Sequence, residues 1–175
     1  YLHQDTRIIS QTFIRDMIKV FEENDTIGML GCVGCRELPA NGQAVGHWDV
    51  GMVYHNCIPG TLALEQDGEQ RPIEVEALDG LLLATSKDVR WREDLFDGWD
   101  FYDVSQCLEM RRAGYRVVVP YQETPWCYHD NFYSRMLNYQ KYCNRMIEEY
   151  QDIRTFQAMY YSDSRKELEQ IKEVA

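Results

Sequence analysis

The chain has no apolar run approaching the roughly 20 residues that span a bilayer, no excess of positive charge, too few cysteines for a disulfide framework, and no internal repeat or low-complexity segment. Each lack removes a class. Without a long apolar run, no transmembrane helix is expected. With 18 Lys and Arg against 29 Asp and Glu, the formal net charge is −11. Nonspecific nucleic-acid binding needs a basic face to displace counterions from phosphates, so no nucleic-acid partner is expected. A local basic pocket remains compatible with that charge. The six cysteines, at 32, 35, 57, 107, 127 and 143, sit mostly in apolar runs, as free buried thiols do. They suit a reducing, cytoplasmic setting. Cys32-Val33-Gly34-Cys35 has the spacing of a redox pair, but strand-end thiols explain it more simply, and no second C-x-x-C completes a zinc site. The opening residues Tyr1–Asp5 lack both the basic and the apolar part of a secretory signal, and no initiator Met precedes them. The sequence is therefore expected to be a piece of a longer protein, with some walls of its site outside it.

What is present suits one domain. With 175 residues, 45% hydrophobic and 27% charged, the chain supports a single core over residues 1–175. Ser10 is placed to cap a helix over 11–24, with Ile14, Met17, Ile18 and Phe21 on its inner face. Ile27 to Val33 reads as a buried strand. Residues 36–72 are punctuated by Gly, Pro, Asn and Asp, with short strands expected at 50–54 and 61–66 and a hairpin turn at Asp67-Gly68. A half-exposed strand at 73–77 follows, then a second strand or a short buried helix at 81–85. A helix after Asp103 closes at Gly114, and strands at 115–119 and 125–128 precede a helix over 134–150. Residues 150–175 are expected to form a helical tail, charged and amphipathic from about Asp163. The pattern predicts an α/β fold: a mostly parallel sheet flanked by helices, a small antiparallel element and C-terminal helices.

Four places carry groups suited to chemistry. His3-x-Asp5, read as the end of a strand, points two ligands the same way toward a divalent cation. It equally fits a surface histidine beside a helix-start aspartate. His129-Asp130 follows a strand, a usual place for a ligand or proton carrier. Asp97, Asp100 and Asp103 are spaced by three, so they are expected on one side, with mutual repulsion raising at least one pKa. Asp103 is also placed as a helix cap whose carboxylate the helix dipole would lower to a modest base. Trp99, Phe101 and Tyr102 would stack on a ligand or pack the core. Asp79-Gly80 is a tight turn exposing backbone beside an acid. Arg90 or Arg92 could meet a phosphate, with a solvated face as the plainer reading.

The run ALDGLLLATSKDVRWREDLFDGWDFYDVSQCLEMRRAGYRVVVP, followed by WCYHDN, resembles the C-terminal half of a GT-A-fold glycosyltransferase. It is most similar to the family 2-like group named after a streptomycin-biosynthesis protein. Phe96-Asp97, Tyr102-Asp103, Arg111 to Gly114 and His129 follow that group's order and spacing, and Tyr1 to Asp5 resembles its D-x-D segment. The resemblance implies a Rossmann-like GT-A fold whose N-terminal half lies outside this sequence. It implies a UDP- or GDP-linked nucleotide-sugar donor, a saccharide or other hydroxyl acceptor, and Mn²⁺ or Mg²⁺. His3, Asp5 and His129 would hold the metal. Asp103 would be the catalytic base, with Asp100 in reserve because Tyr102 stands where the family usually has Glu. Asp79, Gly80, Trp99 and Tyr102 would bind substrate. A noncatalytic glycan- or nucleotide-binding module and a metal-dependent hydrolase on His3, Asp5 and His129 are the competing readings.

Overall fold

A computed structural model describes residues 1–56, 60–130 and 136–153. Among these the chain runs β1 (Thr6–Ile8), α1 (Phe13–Glu23), β2 (Ile27–Gly31), β3 (Val33–Cys35), β4 (Val50–His55), β5 (Gly60–Ala63), β6 (Ile73–Glu74), β7 (Ala77–Leu78), β8 (Leu83–Thr85), α2 (Tyr102–Arg112), β9 (Arg116–Val119), β10 (Cys127–His129) and α3 (Tyr139–Glu149). The expected charged helix from Asp163 lies outside the described residues.

Two sheets form. One has the order β6-β9-β2-β8; the other runs β1-β10-β4-β3-β7, with β5 also on β4. The α/β class and the mixed sheet stand, but the expected parallel majority does not. Only β2 with β9 and β4 with β10 pair in parallel among the described strands; every other pairing is antiparallel. A short connection dictates the antiparallel direction only for β4 with β5; the other antiparallel pairs join strands far enough apart in the chain to run either way. The central β2 is buried along its whole length, which is why it reads as an apolar run rather than an alternation. That run breaks after Gly31, so the expected single strand to Val33 becomes β2 and β3 in different sheets.

Other boundaries also shift. Residues after Asp67 turn back, with Gln70 N–H donating to Asp67 O, but no hairpin pairs across this turn. The hairpin is β4 with β5. Helix α1 turns a different face inward from the one expected. Phe13 is buried and Met17, Val20 and Phe21 pack on the core, whereas Ile14 and Ile18 are 59% and 44% exposed. Ser10 accepts from Thr12 N–H rather than from the helix itself, which begins at Phe13. Gly114 fills the C′ position of α2 with φ of +86°, a conformation that glycine adopts without a Cβ penalty.

Helix α2 lies between two apolar clusters. One face packs Cys107 and Met110 beside Met29, Leu78 and Val117. The other packs Val104 and Leu108 against Tyr142, Met146 and Tyr150 of the α3 region. Arg92 bridges to Glu149 (2.6 Å), and Arg112 to Asp152 (2.7 Å), at the edge of that contact. Arg92 is thus a partly buried structural clamp, and neither it nor Arg90 faces the cleft described below. Cys32, Cys35, Cys107, Cys127 and Cys143 are buried thiols without disulfides, so Cys32–Cys35 forms no redox bridge here.

Candidate active site

A cleft of about 240 Å³ opens between the end of β10, the loop from β7 to β8 and the start of α2. Its wall includes His3, Asp5, Asp79, Gly80, Trp99, Asp100, Tyr102, Asp103 and His129. These nine of the residues singled out from sequence, spread from position 3 to 129, come together around one space; Asp97, Asp130, Arg90 and Arg92 do not line it.

One corner holds His3, Asp5 and His129. His3 and Asp5 do not lie on a strand. Thr6 N–H donates to His3 O (3.0 Å), closing a turn between the Leu2 bridge and β1. That turn brings His3 Nδ1 against Asp5 Oδ1 in a short hydrogen bond. His129 is the last residue of β10 rather than a loop residue, and its Nε2 lies 3.3 Å from Asp5 Oδ1. The three offer ligand atoms within 4.8 Å of one another. Burial alone would push Asp5 up, but the His3 hydrogen bond and the charges of His3 and His129 outweigh it and hold Asp5 below the usual carboxylate range. Burial pushes His129 down, favouring the neutral ring that ligates metals. Two imidazoles and a carboxylate fit Mn²⁺ better than Mg²⁺, which prefers an all-oxygen set.

The opposite corner is built by the Asp79-Gly80 turn and the first turn of α2. Asp103 Oδ2 accepts from Gly80 N–H, and Oδ1 from Val104 N–H, both at 2.8 Å. Tyr102 donates its phenol to Gly80 O (3.3 Å). Glycine is required at position 80 by space: a Cβ there would collide with the Tyr102 phenol and come 3.0 Å from Asp103 Oδ2. Asp79 accepts from Leu81 N–H (3.1 Å). Burial, with the Asp103 charge nearby, pushes Asp79 up to about 7. Burial also pushes Asp103 up, against the backbone donors that hold it down. The expectation that a helix dipole would lower Asp103 is therefore corrected; desolvation prevails.

The three aspartates spaced by three do not share a side. Asp97 accepts from Tyr142 Oη (2.6 Å) outside the cleft and is held low, first by that bond. Asp100 faces the cleft, and burial raises it. Between Asp100 and Asp103, both on the cleft, the backbone turns sharply at Phe101. It takes φ of +66°, the left-handed region unusual for a bulky residue, while its ring is buried against Tyr139. This strain costs about 1–3 kcal/mol and is held by the surrounding packing. Trp99, by contrast, is 72% exposed at the rim, its ring in a T-shaped contact with that of His3.

Sequence reasoning missed the far wall. Ala44, Val45 and Trp48 come from the stretch read as an irregular insertion, and Tyr139 comes from α3. Tyr139 Oη accepts from Val45 N–H (3.1 Å), tying the two walls together. His55 was missed as well. It lies beside His129 in the parallel pairing, with His129 Nδ1 3.3 Å from His55 Nε2. Its only signal was a histidine at a strand end, the same signal that drew attention to His129.

The family model of the glycosyltransferase-like family matches residues 1–150. The chain belongs to the glycosyltransferase-like family. No curated protein matches it. Membership carries a glycosyltransferase-type function and, in general terms, the binding of a sugar donor and an acceptor. Among the described residues, no helix of this family member is long and apolar enough to cross a membrane.

Proposed function

We propose that this glycosyltransferase-like domain transfers a sugar from a UDP- or GDP-linked donor to a hydroxyl acceptor, with inversion at the anomeric carbon. The observation that carries this reading is the pairing of two unlike acidic corners across one cleft: a carboxylate held ionised between histidines, and a carboxyl pair raised by burial. His3, Asp5 and His129 are the residues that would hold Mn²⁺ or Mg²⁺. Bound there, the cation supplies charge neutralisation for a departing nucleoside diphosphate.

Asp103 is the catalytic base in this reading. It takes the proton of the acceptor hydroxyl as that oxygen attacks the anomeric carbon. A carboxylate raised by burial is a stronger base than an exposed one, which suits the role. Gly80 N–H and Val104 N–H fix its two oxygens. Asp79 keeps its proton up to about pH 7, which limits charge repulsion beside the base. Asp100 and Trp99 stand at the open side, where an acceptor enters. Tyr102 and Gly80 hold the turn closed behind the base.

The test uses the full chain with UDP and GDP sugars and Mn²⁺. Nucleotide release coupled to a glycosylated product, with inverted anomeric configuration, supports the proposal. Thermal stabilisation by a glycan with no nucleotide effect turns the assignment to a binding module. Phosphoester hydrolysis without sugar transfer turns it to a hydrolase.

A further inference from the structure

The geometry points to His55 as a positioning residue that fixes which nitrogen of His129 is offered to a divalent cation. The inference rests on the metal reading of His3, Asp5 and His129, and carries it one residue further. His55 ends β4, His129 ends β10, and the two strands pair in parallel with these residues in register. Parallel neighbours in register present their side chains on the same face of the sheet. The rings lie 4.8 Å apart between centroids, with His129 Nδ1 3.3 Å from His55 Nε2. Asn56 N–H donates to His129 O (3.3 Å), and the Asn56 side chain bonds Asp130, so the strand ends are fastened together just beyond the rings.

A neutral imidazole has one donor nitrogen and one acceptor nitrogen. His129 Nε2 faces Asp5 Oδ1 at 3.3 Å. With the proton on Nε2, the ring donates to Asp5 and has no lone pair for a metal at that position. With the proton on Nδ1, Nε2 is a free ligand atom, but the Nδ1 proton then needs an acceptor. Among the described residues, His55 Nε2 is an acceptor within reach, at 3.3 Å. Donation through Nδ1 selects the ligating tautomer and orients the ring; loss of such a second contact weakens metal affinity about 10–100-fold. The preference also requires His55 to carry its own proton on Nδ1.

The experiment titrates Mn²⁺ into the full chain, wild type, His55→Ala and His55→Gln, by calorimetry, with the metal-free melting temperature of each as a second readout. Glutamine keeps an acceptor oxygen at similar reach; alanine keeps none. Expected are Mn²⁺ binding by the wild type, a loss of about 10–100-fold in affinity for His55→Ala, and recovery of most of it in His55→Gln. The metal-free melting temperatures should not follow that order. Equal Mn²⁺ affinity in His55→Ala overturns the inference and leaves the metal site standing, as does an affinity that glutamine fails to restore. Absence of Mn²⁺ binding by the wild type overturns the metal site and the inference together. Should His55→Ala not fold, ¹⁵N NMR of the wild type with Mg²⁺ decides: a His129 proton on Nδ1 supports the inference, and one on Nε2 overturns it.

Discussion

Asp5 and Asp103 line the same cleft, yet the protein treats their carboxyl groups in opposite ways. Asp5 sits among imidazoles, and their hydrogen bond and charge hold it ionised against the cost of burial. Among the described residues Asp103 has backbone N–H donors alone, with Asp79 and Asp100 nearby, and burial raises it. Two identical side chains thus differ by their surroundings, one held low and the other raised; in the proposed reading the first holds a cation and the second handles a proton. Environment rather than residue type assigns such roles.

The sharpest way to break this contrast is to neutralise each acid in turn. Asp103→Asn should cut sugar transfer by about 10²–10⁴-fold, the range of general-base catalysis, while Mn²⁺ affinity measured by calorimetry stays unchanged. Unaltered turnover removes Asp103 from the mechanism. Asp5→Asn should show the reverse pattern, losing at least about 10–100-fold in Mn²⁺ affinity. An equal loss of metal binding in both variants would erase the distinction between the corners.

A smaller effect follows from Asp79. Its folded pKa, about 7, lies above the unfolded value near 3.8, so the folded state holds the extra proton in that window. Its contribution to stability is complete below about pH 4 and is lost as pH rises through 7. Asp79→Asn keeps an acceptor for Leu81 N–H and carries no charge. A pKa shift of this size corresponds to roughly 4 kcal/mol, so at about 2–4 °C per kcal/mol the variant should melt on the order of 10 °C above wild type at pH 8 and match it at pH 4. A constant difference across pH would show that Asp79 is not the group being strained. Least of all, Trp99→Ala should change unfolding free energy by no more than about 0.5 kcal/mol, because the ring is exposed. It should nonetheless raise the KM for acceptor. A large loss of stability with unchanged KM would make Trp99 a packing residue.

Much of this was legible in the chain. The helix after Asp103 and its glycine stop appear because local signals, an apolar spacing and a C′ glycine, coincide with the tertiary answer. The candidate residues could be gathered because their order and spacing resemble a family pattern, and that family's model covers residues 1–150. Strand direction was not legible. Parallel and antiparallel central strands are equally apolar, and β2 pairs one way with β9 and the other with β8. The inner face of α1 was misjudged because Ile14 and Ile18 are as apolar as Met17 and Phe21, and periodicity cannot tell which apolar stripe the sheet covers. His55 escaped notice because its partner is 74 residues away.

The sequence alone determined the α/β class, the position of α2 and the kinds of group available: acids, imidazoles and flat rings at element ends. These follow from local spacing and side-chain chemistry, which the chain carries in its order. Only the tertiary structure decided which acids meet which partners, that Asp97 turns away while Asp100 turns in, and that two histidines from neighbouring strands touch. Protonation and hydrogen bonding depend on distances of a few ångströms between residues far apart in the chain, and folding alone sets those distances.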